Sequence, residues 1–113
     1  MRTFARKYGC PVEFALDALG GKWKTVILAR LKQGPMRYGE LRAAIPTLSD
    51  KMLSERLRDL ADLGLVEADR NGDVSRYRLT PRGDSLRHVL QSLYDWGTAN
   101  AQGMGARVVP PAD

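Results

Sequence analysis

Two side chains in this sequence are reactive in the ordinary chemical sense, Cys10 and His88, and each is the only one of its type. A lone thiol forms no intrachain disulfide, and one cysteine with one histidine supplies too few ligands for structural zinc. Neither residue sits in a nucleophile pattern, a paired-carboxylate motif or a glycine-rich phosphate loop. The chain therefore reads as a non-enzyme, with no cofactor and no metal. Cys10 precedes Pro11 at a helix start, where the helix dipole favours a thiolate; Arg6 and Lys7 add positive charge nearby and Glu13 opposes it. It is a candidate redox-sensing thiol, able to form a sulfenic acid, a mixed disulfide or a bridge to a second copy. The alternative is a small buried residue chosen for packing. A thiol oxidoreductase is disfavoured, because no resolving cysteine stands in a CxxC motif. His88 reads as a surface or interface residue.

The remaining chemistry is that of charge and hydrogen bonding toward a polyanion. Eighteen Lys and Arg stand against thirteen Asp and Glu, a net charge of +5 on 113 residues. That excess suits nucleic acid without requiring it. The length and the 43% apolar content fit one compact domain with one modest core. With no apolar run long enough to span a bilayer and no signal-peptide pattern, a cytoplasmic location is expected.

Residues 48–64, LSDKMLSERLRDLADLG, organise the rest. Leu53, Leu57 and Leu60 recur at helical spacing, so one stripe must face a core. Advancing about 100° per residue places Lys51, Ser54, Glu55 and Arg58 on the outward side. Ser49 is a natural N-cap, Leu48 can staple onto Leu53, and Gly64 stops the helix. Arg56 falls close to the apolar stripe and is expected to lay its stem over the core edge.

The elements that must position this helix follow from similar signals. Residues 1–9 form a short basic arm. A first helix spans 10–19, with Pro11 at its first position and Val12, Ala15, Leu16 and Leu19 in a stripe. A second, 22–32, carries Trp23, Val26, Ile27, Leu28 and Leu31 and should lie at the centre of the core. After an extended piece at 36–38, a third runs over 39–45, and Pro46 to Leu48 turn the chain into the 48–64 helix. Helix, tight turn, helix is the spacing of a helix-turn-helix, whose second helix enters the major groove. Residues 65–70 and 75–79 read as strands around an Asn71-Gly72 turn, with Tyr77 and Leu79 on one face and Arg76 and Arg78 on the other. Thr80 and Pro81 open a single last helix reaching about residue 102, with Leu86, Val89, Leu90, Leu93, Tyr94 and Trp96 at helical spacing. Its apolar surplus exceeds what one small domain covers. Either its far end, the first helix and the arm bury against a second copy, or it folds back on its own core. Trp23 and Trp96 are both expected to fill core space. The composition of 103–113 predicts a disordered tail.

The fold class is thus mainly α with a small β-hairpin wing, a winged helix-turn-helix with extra terminal helices for dimerisation. Residues 10–102 form the domain. Several segments resemble the HxlR-type winged helix-turn-helix regulators, which are related to the MarR group: CPVEFALDALGGKWK at 10–24, GPMRYGELRAAIP at 34–46, LSDKMLSERLRDLADLGLV at 48–66, YRLTPRG at 77–83 and the Trp96-Gly97 pair. The resemblance implies a homodimeric regulator, repressor or activator, binding near-palindromic double-stranded DNA through the helix at Ser49 and through the wing. Some members of that family sense oxidants or electrophiles through a cysteine at the place of Cys10, so an oxidant or small-molecule effector is implied. The candidate DNA-binding residues are Arg37, Ser49, Lys51, Ser54, Glu55, Arg58, Arg76 and Arg78. Two features depart from the family: a shorter wing without proline, and the acids Asp50 and Glu55 where neutral amides are common. An acid in the groove can accept from cytosine N4 but repels phosphate. From the residues alone, a winged-helix protein-interaction module without an operator is the alternative.

Overall fold

The computed structural model describes residues 4, 6–69 and 75–109. Four helices come first: α1 (Pro11–Leu19), α2 (Lys24–Leu31), α3 (Tyr38–Ala44) and α4 (Asp50–Asp62). An antiparallel hairpin follows, β1 (Val66–Asp69) and β2 (Arg76–Leu79), in the register Val66↔Leu79 to Asp69↔Arg76. The chain then forms α5 (Pro81–Asp84), α6 (Arg87–Asn100) and a 3-10 turn at Gln102–Met104. This is the expected mostly helical fold with a hairpin wing. The Asn71-Gly72 turn and part of the basic arm lie outside the described residues.

Local chemistry explains the helix ends. Pro11 occupies the first turn of α1, and Glu13 lies there too. The backbone N–H of Arg37 donates to Glu40 Oε1 at 2.8 Å, satisfying a donor at the start of α3. In α4 the Met52 amide donates to Ser49 Oγ at 3.1 Å. Gly64 adopts φ +74° just past the helix, and the Leu65 amide reaches back to the Leu60 carbonyl at 3.0 Å. A residue with a side chain resists that left-handed geometry, so the glycine sets the stop.

Leu53, Leu57 and Leu60 of α4 are buried as their spacing requires, against Ile27, Leu28 and Leu31 of α2 and Leu41 of α3. Each buried leucine or isoleucine contributes about 1.5–3 kcal/mol relative to exposure, an upper estimate for a compact unfolded chain. The α2 helix is central, but not uniformly apolar. Lys24 is buried within it at 6% exposure, its Nζ donating to the Ala18 carbonyl at 3.3 Å and so joining α2 to the end of α1.

The extended piece before α3 does more than connect. Met36 pairs with Tyr77 of β2 through two backbone hydrogen bonds of 3.0 and 2.7 Å, adding a one-residue third strand to the hairpin. The wing base is held a second time by Thr80, whose Oγ1 donates to the Gly64 carbonyl at 2.6 Å while its amide donates to the Leu65 carbonyl at 3.1 Å. The hairpin is therefore fixed to both helices of the helix-turn-helix.

The last helix differs from its expectation. It is two helices, α5 and α6; at the junction Ser85 Oγ bonds the Arg82 carbonyl and the Leu86 amide closes a tight turn onto the Gly83 carbonyl at 3.1 Å, while Gly83 lies directly on the Leu65 carbonyl. A side-chain hydroxyl that takes a backbone carbonyl competes with the helical ladder. Past the junction, Leu86 and Leu90 reach the core. Beyond them α6 leaves the core, and Val89, Leu93, Tyr94 and Trp96 remain exposed. Trp23 packs half-buried against the core under the Lys22 ammonium, but Trp96 is 60% exposed and fills no core space in this chain. No helix among the described residues is long and apolar enough to cross a membrane.

Candidate nucleic-acid interface

The outward face of α4 starts from the residues that its buried stripe leaves over. Lys51, Ser54 and Arg58 are exposed there, as helical spacing requires. Glu55 differs: it is half-buried and directed sideways, its Oε2 3.6 Å from Arg56 Nη2. Arg56 itself is half-buried and also approaches Asp59 at 3.3 Å, consistent with a stem lying along the core edge. Ser49 is exposed, but its hydroxyl oxygen already accepts from the Met52 amide.

The second acid, Asp50, is also paired. Arg42 of α3 donates through Nε to Asp50 Oδ1 at 2.9 Å, and the Tyr38 hydroxyl lies 3.1 Å from both that oxygen and the Asp50 carbonyl. Tyr38 is 3.3 Å from Ser54 Oγ as well, so one phenol bridges two residues a turn apart on α4. Both acids that depart from the family pattern are thus offset by arginines within the same chain. Sequence reasoning missed Tyr38 and Arg42. Their i, i+4 spacing places them on one face of α3, but only the angle between the helices brings Asp50 to that face.

On the hairpin, Arg76 and Arg78 alternate outward with Tyr77 and Leu79 inward. Arg78 is engaged by acids of the facing strand, Glu67 at 2.9 Å and Asp69 at 3.4 Å. Arg76 makes no ion pair within the described residues. Arg37, at the start of α3, is exposed with its Nε 3.8 Å from Glu40. The cations of this surface divide into two groups. Lys51, Arg58 and Arg76 carry charge with no acidic partner among the described residues, whereas Arg37, Arg42, Arg56 and Arg78 have one.

Cys10 stands apart from this surface. It is exposed at the entrance of α1, its backbone extended and its carbonyl accepting from the Phe14 amide at 3.3 Å. The packing alternative, a small buried residue, is not what the fold places there. Arg6 does not reinforce a positive environment either, since it is paired with Glu13 at 3.1 Å and lies over the Tyr8 ring. Beneath α1 an apolar cleft of about 390 Å³, lined by Phe14, Leu19, Leu63, Leu65 and Leu86, separates the helix carrying Cys10 from the end of α4 and the start of β1. His88 is exposed on α6. Among the described residues no group of His, Cys, Asp and Glu could hold a metal ion.

A helix-turn-helix joined to a short antiparallel hairpin is the winged-helix architecture. The chain belongs to the HxlR-like helix-turn-helix family, whose model matches residues 18–104. A helix-turn-helix-type transcriptional regulator from Methanothermobacter thermautotrophicus is 37% identical over 94 residues, covering 80% of this chain and 72% of that protein. The solved structure of the redox regulator HypR in its oxidized form superposes with a TM-score of 0.76 at 33% identity, over 88% of this chain and all of that one. The quinone-bound structure of YodB from Bacillus subtilis gives a TM-score of 0.69 at 36% identity, over 80% of this chain and 99% of that one. Relatives and neighbours are transcriptional regulators, and the same class, rather than an enzyme, is what this chain is.

Proposed function

We propose that this regulator binds a near-palindromic operator as a homodimer, with α4 in the major groove, the hairpin against the backbone, and occupancy lowered by oxidants or electrophiles that modify Cys10. The observation that carries the DNA reading is the division of the cations. Among the described residues, acids and arginines around α4 pair with one another, and Lys51 and Arg58 on α4 and Arg76 on the wing carry charge without an acidic partner. Such leftover charge is what a phosphate backbone neutralises with release of counterions. Ser54 lies beside them to meet base edges, and Arg37 and Ser49 flank the groove entrance.

The dimer reading rests on the apolar surface of α1 and α6. Val12, Leu16, Leu93, Tyr94 and Trp96 are each more than half exposed, more than a lone domain of this size normally leaves to water. Two copies related by a two-fold axis would present their α4 helices about one DNA turn apart, roughly 34 Å. The redox reading rests on an exposed thiol at the start of α1, a helix whose Phe14 and Leu19 share an apolar cleft with Leu63 at the end of α4. It is supported by similarity to HypR, named a redox regulator, and to the quinone-bound form of YodB.

Selection of bound fragments from genomic DNA, followed by titrations of the recovered duplex over a potassium chloride series, tests the DNA reading. Binding should weaken steeply with salt, and Lys51→Ala and Arg58→Ala should each weaken it further. Unchanged affinity in both variants would place the contact surface elsewhere. Failure to recover any duplex, with no salt-dependent binding to random DNA, would favour a protein-interaction module.

A further inference from the structure

The contacts at the junction of α3 and α4 assign a role to three residues outside the reading face. We propose that Asp50, with Tyr38, is a positioning residue that holds Arg42 by one end so that the other end of its guanidinium donates to a DNA backbone phosphate. This rests on the DNA reading above and deepens it.

Three observations carry the inference. Arg42 meets Asp50 through Nε alone, at 2.9 Å to a single carboxylate oxygen, and neither Nη has a hydrogen-bond partner among the described residues. A guanidinium that merely neutralised a carboxylate would gain more from a two-pronged pair. Here two donating groups remain unspent. The same oxygen, Oδ1, lies 3.1 Å from the Tyr38 hydroxyl, so the acceptor is itself fixed from α3 rather than left to rotate. Finally, the Arg42 side chain is 34% exposed while the Asp50 side chain is 75% exposed. The arginine is about two-thirds covered, and its anchor lies at the surface of the helix that enters the groove. In a helix-turn-helix the first helix crosses the phosphate backbone while the second lies in the groove, and α3 is that first helix. An arginine that is partly covered, with an anchored Nε and Nη groups left to donate, loses little freedom on meeting a phosphate. Asp50 then acts through Arg42 and reads no base, which accounts for an acid at the start of a helix that must approach DNA.

Titrations of a random-sequence duplex and of a selected operator over a salt series, with thermal melts of the unbound protein, test the assignment. Arg42→Gln should lower affinity for both duplexes by the same factor, about tenfold, and make the log–log salt dependence shallower by about 0.9, with little change in melting temperature. Arg42→Lys, which keeps the charge, should restore the salt slope and part of the affinity. Asp50→Asn should weaken operator binding with the slope retained, because the cation is still present but no longer aimed. Tighter binding of Asp50→Asn to both duplexes would overturn the proposal and make Asp50 a repelling surface acid. An Arg42→Gln variant that melts early yet keeps the wild-type slope would also overturn it, reducing the pair to a strut between helices. Wild-type protein that shows no salt-dependent binding to either duplex would instead overturn the DNA reading itself.

Discussion

Arg78 and Glu67 face each other across the hairpin in register, with Nε 2.9 Å from Oε1, and the same guanidinium reaches Asp69 at 3.4 Å. Its neighbour on the same face, Arg76, has no such partner among the described residues. The two arginines should therefore separate on mutation. Arg76→Ala is expected to lower affinity on all duplexes and reduce the salt slope by about one unit. Arg78→Ala should leave the slope nearly unchanged and cost stability only about 0.2–1 kcal/mol, the worth of an exposed ion pair. Anisotropy titrations over a salt series check this, and equal slope changes would mean that the hairpin acids release Arg78 to DNA.

Gly83 leaves no room for a single methyl group. A Cβ there would lie 2.1 Å from the Leu65 carbonyl oxygen and 3.0 Å from its carbon, backbone atoms that cannot swing away, and 3.3 Å from the Leu79 side chain. Gly83→Ala should destabilise the fold by about 1–3 kcal/mol, as overpacking does. Gly39→Ala is the control. Nothing lies within 4 Å of a Cβ at Gly39 in α3, so that variant should be neutral or slightly stabilising. Thermal or urea melts of the two variants distinguish tight packing from a general intolerance of glycine replacement.

Leu93 on α6 is 55% exposed, so a charge placed there keeps access to water in the single chain. If the α1 and α6 surfaces join two copies, Leu93→Glu should yield a folded monomer at micromolar concentration where the wild type sediments as a dimer. Operator affinity should fall sharply, because one reading helix no longer brings the second. A wild-type monomer, with or without DNA, is the result that discards the dimer.

Oxidation of Cys10 should weaken operator binding. A thiol oxidant or quinone-type electrophile is expected to lower wild-type affinity, while Cys10→Ser binds normally and does not respond. Mass spectrometry would show a sulfenic acid, a mixed disulfide, an electrophile adduct or a Cys10–Cys10 bridge between subunits. An unmodified Cys10 with affinity unchanged after treatment would remove the sensing role.

What the sequence by itself determined is whatever depends on residues within one or two turns of each other. Ser49 as a cap, Gly64 as a stop and the leucine stripe of α4 are local chemistry, and they placed the reading helix, the hairpin strands and the order of elements. Periodicity says which face of a helix is apolar, but not what covers it. Leu90 and Trp96 are both apolar residues of α6, yet Leu90 reaches the core and Trp96 stays 60% exposed. Which of them is covered depends on what packs against α6, and the close approach of Gly83 to the Leu65 carbonyl just before it is a contact between segments that no local pattern announces. Charge behaves in the same way. Sequence marks Arg76 and Arg78 as equal cations, and the strength of each toward DNA depends on a carboxylate a few ångströms away. Tertiary structure alone decided that Asp50 pairs with Arg42, that Glu67 pairs with Arg78 and that Arg76, although opposite Asp69 in the hairpin register, makes no ion pair among the described residues, because ion pairing falls off with distance and those distances are set by how α3, α4 and the hairpin pack.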